Sequence, residues 1–188
     1  MIGFAVCASY CCHHRALEAL TILQRTYSDI LPILSENAAT TDTRFGSSRL
    51  LQEKLSAITG KQPILTIHDA EPLGPKTPLE ALIIAPCTGN TLAKMAHGIT
   101  DTTVTMAAKA HLRADRPLLI ALATNDALSA NLANLALLLS RKNIYFTPML
   151  QDDPLRKPHS LIAEMERIPE AFAAMTHGKQ LYPLFTTA

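Results

Sequence analysis

Most side chains able to bind or transform a ligand in this 188-residue chain lie in short polar stretches that directly follow apolar runs. The first, residues 9–14 (SYCCHH), precedes a helical pattern, so its backbone N–H groups and the helix dipole favour an anion such as phosphate. Ser9 can donate a hydroxyl to that anion or serve as an ordinary turn or cap residue. The phosphate signal is weak, because phosphate loops usually carry several glycines and none occurs between Gly3 and Gly46. Cys11, Cys12, His13 and His14 are all legitimate zinc ligands, yet four consecutive residues cannot wrap one tetrahedral ion without severe strain. No CxxC or HxxxH partner occurs elsewhere, so no metal site is expected. Cys7 and Cys87 read as small core residues.

Residues 41–46 (TDTRFG) place Arg44 among hydroxyls, where its guanidinium fork can grip a carboxylate or phosphate at two points, or pair with Asp42 or Glu53 on the surface. Residues 85–91 (APCTGNT) are more informative. Gly89 allows close backbone approach, and Thr88, Asn90 and Thr91 supply neutral donors suited to a polar heterocycle or phosphate. A capped turn would explain Thr88 or Thr91 but not the whole cluster. Asn125 and Asp126 follow the next apolar run, and Asp126 is as well suited to capping a helix as to touching substrate. His68, beside a proline-rich segment, is the one histidine placed like a general base, although a solvated loop histidine explains it better. Lys109 joins Arg44 as a candidate charge for substrate carboxylates.

The elements that would hold these loops alternate. Apolar runs at 2–9, 30–34, 63–67, 81–85, 117–123 and 145–148 read as strands, with 30–34 suited to an edge because Pro32 lacks a donor. Helical spacing follows at 16–23, 51–58, 92–98, 102–112 and 128–139, and residues 161–175 read as a helix kinked at Pro169. Residues 37–46 and 69–78 read as loops, the latter rigid through Pro72, Gly74, Pro75 and Pro78. Strands alternating with helices imply a three-layer, doubly wound α/β fold in one domain, residues 1–188. Its ligand site belongs beyond the carboxyl ends of the strands, where the polar stretches already lie.

Composition narrows the function classes. A net charge of +1 without basic blocks gives counterion release little to act on, and 5% aromatic residues without Trp offer few stacking platforms, so nucleic acid is not an expected partner. No apolar run approaches the roughly 20 residues that cross a bilayer, and the N-terminus lacks a basic leader, which predicts a cytoplasmic protein with reduced thiols. The Ala-rich and Leu-rich helices after residue 91 offer more apolar surface than one sheet covers, which predicts self-association.

The words TDTRFG, EPLGPK, APCTGNT, TNDAL and QDDPLRKPHS, in this order and spacing, closely resemble the family of dipicolinate synthase B subunits. That family is a sporulation branch of the flavoprotein superfamily, which also contains homo-oligomeric flavin-containing cysteine decarboxylases. The resemblance implies a Rossmann-like flavoprotein fold and a part in NAD(P)-linked oxidation of a dihydrodipicolinate-type precursor to pyridine-2,6-dicarboxylate, in the mother-cell cytoplasm of a spore former. It implies a separate dehydrogenase-like A subunit of dipicolinate synthase carrying the NAD(P), a small cyclic dicarboxylate substrate, FMN as a possible cofactor, and a trimeric or dodecameric assembly. A non-catalytic role, docking and stabilising the dehydrogenase-like partner, is the alternative, with a flavin-dependent decarboxylase third. By position, Ser9 matches the superfamily's phosphate-contacting serine, Thr88, Gly89, Asn90 and Thr91 match its flavin loop, and Asn125 and Asp126 match its later substrate-side loop. Two departures stand out. Ala8 replaces the glycine that usually precedes that serine, and the decarboxylases' active-site histidine has no convincing counterpart.

Overall fold

Runs that are apolar at every position, rather than at every second one, demand strands covered on both faces. In the computed structural model, which describes residues 1–74 and 76–187, they build a seven-stranded sheet. Strands β1 (Ile2–Val6), β2 (Ile30–Leu34), β3 (Ala81–Cys87) and β4 (Leu118–Thr124) run parallel in the order β2-β1-β3-β4. The chain reverses its direction of travel across the sheet between β1 and β3, so the loops leaving these two strands part and open a crevice. Pro32 does sit in the outermost of these four strands.

Alternate strand residues serve opposite faces. Phe4, Val6, Ile83 and Leu119 pack against Leu20 and Leu23 of helix α1 (His13–Thr26), Leu55 of α3 (Ser48–Thr59) and Phe172 of α8 (Ile168–Thr176). Ala5, Leu82, Ile84 and Ile120 pack against Leu92 of α5 (Gly89–Ala96), Val104 of α6 (Thr103–Leu112) and Leu135 of α7 (Leu132–Leu139). Burying each large side chain in these two layers contributes about 1.5–3 kcal/mol. The result is the expected three-layer α/β architecture with a mostly parallel sheet. Among the described residues, no helix is long and apolar enough to cross a membrane.

Several local expectations are corrected. Residues 63–67 form no strand. Ile64 makes an isolated parallel bridge to Ile33, and Thr66 then caps the short helix α4 (Ile67–Ala70) by accepting a hydrogen bond from the Asp69 N–H. The supposed rigid loop at 69–78 is helical at its start, through α4 and a 3-10 turn at Glu71–Leu73, because Pro72 stands at the head of that turn, where no backbone donor is needed. Pro75 lies outside the described residues. Helix α2 (Glu36–Thr40) occupies the first part of the supposed loop at 37–46, capped by Ser35. Helix α7 starts at Leu132, not Leu128, because residues 125–131 form turns around Asp126.

The kinked helix at 161–175 is instead a strand, β7 (Leu161–Ala163), a 3-10 turn (Met165–Arg167) and α8, which Pro169 begins rather than bends. Strand β7 pairs antiparallel with β6 (Met149–Leu150) and with the last residues of β4. The open side of β4 is thereby shared. Its first half takes β5 (Ile144–Phe146) in parallel, and its second half, at Ala123 and Thr124, takes β7. This division brings the connection between β6 and β7, residues 151–160, to the carboxyl end of the sheet.

Candidate functional site

At that end the loops after β1, β3 and β4, with the residue 151–160 connection, enclose a cavity of about 330 Å³. Ser9, Thr88, Gly89, Asn90 and Asn125 all line it, as do Cys11 and Cys12. Ser9 is not a side-chain cap. Its hydroxyl donates to the Ala123 carbonyl at 3.2 Å, tying the β1 loop to the end of β4 across the intervening β3. Thr88 caps α5, accepting from the Thr91 N–H at 3.3 Å, and donates to the Thr91 hydroxyl at 3.1 Å. Asn90 and Asn125 are exposed, and among the described residues neither side-chain amide has a hydrogen-bond partner. Their donors and acceptors are therefore free for a ligand.

Thr91 and Asp126 stand behind the cavity. The Thr91 hydroxyl is buried within 3.3 Å of the Cys7 thiol. Asp126 anchors a polar chain: it accepts from the Thr124 hydroxyl at 2.6 Å and the Asn131 amide at 2.9 Å, Asn134 donates to Asn131, and His97 meets Asn134. The Thr124 hydroxyl foremost holds the Asp126 carboxyl below the usual carboxylate range. Gly89 packs against the same group. A Cβ there would lie 2.5 Å from Thr124 Oγ1, 2.7 Å from Asn131 Nδ2 and 2.9 Å from Asp126 Oδ1. The close approach that glycine permits is thus made by this chain's own side chains.

The three buried thiols are poor nucleophiles. Burial pushes Cys7 up to about 11 and Cys12 up to about 12, and raises Cys87 strongly. His13 turns inward to donate from Nε2 to the Cys7 carbonyl at 2.8 Å, whereas His14 stays exposed beside Glu18. His68 is exposed on α4 and lines none of the described cavities. Lys109 is exposed on α6 and lines none either, so the structure does not bring it to the other candidates. Arg44 is exposed and lies over the ring of Phe45, 4.9 Å from its centroid; Phe45 lines a second cavity, but Arg44 itself lines none of those described.

Sequence reasoning missed the cation that does line the crevice. Lys157 ion-pairs with Asp152 at 2.7 Å, Ser160 donates to the other Asp152 oxygen at 2.9 Å, and all three line the same cavity as Ser9 and Cys11. Hydrogen bonding from Lys157 is the main reason the Asp152 carboxyl is held low. The signal in the sequence is the stretch QDDPLRKPHS, one of the words that carry the resemblance, but its acidic pair followed by Arg-Lys is a pattern any solvated loop also shows.

Comparison with known proteins agrees with the fold. The chain matches the flavoprotein family over residues 15–176. It is 40% identical over 183 residues to the dipicolinate synthase B subunit of Bacillus subtilis (strain 168), covering 97% of this chain and 92% of that one. The crystal structure of the dipicolinate synthase B subunit from Bacillus halodurans superposes with a TM-score of 0.90 at 40% identity, over 98% of this chain and 95% of that one. A dodecameric FMN-dependent Ubix-like decarboxylase from Escherichia coli O157:H7 shares the fold, with a TM-score of 0.62 at 20% identity over 79% and 80% of the two chains. With most of its length matched in both comparisons, the chain belongs to the flavoprotein family, in the branch of the dipicolinate synthase B subunits.

Proposed function

We propose that the chain is the B component of a dipicolinate synthase, and that the 330 Å³ cavity holds FMN while the complex oxidises a dihydrodipicolinate-type precursor to dipicolinate. The observation that carries this is the convergence of Ser9, Thr88, Gly89, Asn90 and Asn125 on one crevice at the strand ends. The donor set fits a phosphate-bearing heterocycle. The first N–H groups of α5 favour the phosphate, Lys157 adds a donor although Asp152 offsets its charge, and the free amides of Asn90 and Asn125 suit a polar ring edge. Bound flavin would supply a two-electron acceptor. A separate A component, resembling a dehydrogenase, would carry NAD(P), and a self-assembly of the B chain, a trimer or dodecamer, would present the site to it.

Two features favour a second reading, a flavin-free protein that docks and stabilises the A component. Ala8 carries a Cβ where its superfamily has glycine, and the Ser9 and Thr88 hydroxyls already have partners within the chain. Titration of the purified chain with FMN, read by flavin fluorescence and absorbance, separates the two. Saturable binding that Asn90→Ala and Lys157→Ala both weaken supports a flavin site here. A folded protein that does not bind FMN, yet co-purifies with the A component and is needed for its activity, supports the docking role.

A further inference from the structure

A second cavity, of about 130 Å³, lies on the other side of the Tyr10–Cys12 turn, and Cys11 lines both. Its walls are aromatic. Tyr10 and His13 pack with ring centroids 5.3 Å apart and planes tilted 58°, and Phe45, at the tip of the bridged turn joining Thr43 to Gly46, also lines it. Leu17 and Leu51 give it an apolar lining. No Asp or Glu lines it, whereas Lys54 does, and among the described residues Lys54 has neither an ion pair nor a hydrogen bond. The Arg44 guanidinium, equally unpaired among those residues, covers the Phe45 ring.

We propose that this cavity is a binding site for a small planar ring bearing carboxylates, distinct from the crevice that contains Ser9 and Thr88. This rests on the proposed function for the identity of the acid, a pyridine- or dihydropyridine-dicarboxylate. Aromatic and aliphatic walls suit the faces of a flat ring, the unpaired Lys54 on the lining suits a carboxylate on its edge, and Arg44, stacked on Phe45 but not itself on the lining, adds a second unpaired charge next to that wall. The shared Cys11 sets the acid beside whatever occupies the larger cavity. The roles of Arg44 and Lys54 are thus separate from that of Lys157, whose charge is already matched by Asp152.

The test is calorimetric titration of the full chain with pyridine-2,6-dicarboxylate, using the neutral dicarboxamide as a control. The expected result is saturable binding of the acid and not the amide. An Arg44→Gln/Lys54→Gln pair should weaken it about tenfold or more, and Phe45→Ala should weaken it also. Lys142→Gln, which removes an exposed charge elsewhere, should change it less than about twofold. Absence of saturation by about 10 mM acid overturns the proposal. So does equal weakening by Lys142→Gln, or loss on Asn90→Ala with retention in the Arg44/Lys54 pair, which would move the acid into the larger cavity. A parallel FMN titration keeps the two claims apart: flavin binding without acid binding refutes only the second cavity, and acid binding without flavin binding refutes only the flavin assignment.

Discussion

Replacing Gly89 with alanine tests whether the polar group behind the crevice is as rigid as its hydrogen bonds imply. The added methyl would meet Thr124 Oγ1, Asn131 Nδ2 and Asp126 Oδ1 at 2.5, 2.7 and 2.9 Å, well inside van der Waals contact. None of the three can swing away freely, since Thr124 and Asn131 both donate to Asp126 and Asn131 also accepts from Asn134. Overpacking of a close-packed site costs about 1–3 kcal/mol, and each hydrogen bond to a charged group that is lost costs about 1.5–3 kcal/mol. The better helix propensity of alanine returns at most about 1 kcal/mol. The net expectation is a loss of about 2–4 kcal/mol, or roughly 5–15 °C in Tm for a chain of this length. Urea unfolding followed by far-UV circular dichroism gives the number. Thr124→Ala removes the nearest atom, so the double variant should be less destabilised than the sum of the singles by about 0.5 kcal/mol or more. A Gly89→Ala protein within about 0.5 kcal/mol of the parent would refute the reasoning and show that the Asp126 group yields.

Thiol accessibility should be sharply divided: of the four cysteines only Cys11 is exposed, so native protein should react with one equivalent of an aromatic disulfide reagent quickly and with the remaining three only on unfolding. Two or more fast thiols would contradict the burial of Cys7, Cys12 and Cys87. Acid should weaken the fold in two stages. Burial holds His13 and His111 below the ordinary histidine value, so the unfolded chain takes up protons first. Their contribution is therefore complete above about pH 6.5 and is lost as pH falls below it. Asp126 and Asp152, held low by Thr124 and Lys157, contribute above about pH 4 and lose that contribution as pH falls through their folded values. The urea midpoint should thus be lower at pH 5.5 than at pH 7.5, and His111→Gln should flatten that difference. An equal or higher midpoint at pH 5.5 in the parent would overturn the histidine assignment.

The sheet was legible because its strands are buried on both faces, and a continuous apolar run such as residues 81–85 has few other uses. The segment from residue 161 was not. Leu161 and Met165 keep helical spacing only because a short strand, a turn and a helix happen to bury residues four apart, and tertiary pairing of Leu161 with Thr124 overrides the local pattern. Local propensity also could not divide the edge of β4 between β5 and β7. That division decides where the residue 151–160 connection lies, and Lys157 was invisible as a site residue for the same reason.

The two cations chosen from the sequence show what residue type alone can carry. Arg44 has hydroxyls around it in the sequence, and those neighbours do form the tight turn on which it stacks over Phe45, a residue of a cavity wall that Arg44 itself does not line. Lys109 had no such context. Ala107, Ala108, Ala110 and His111 around it are all buried, so its position is the solvent-facing ridge of a helix otherwise packed away, and its charge has no cavity to enter. Gly89 falls between these cases. Its type correctly announced a close approach, but only the fold could show that Thr124, Asn131 and Asp126 make that approach. The crevice is therefore backed by a preformed polar wall, and Asn90, Asn125 and Lys157 line it outside that hydrogen-bonded group, so the proposed ligand contacts and wall stability can be perturbed independently.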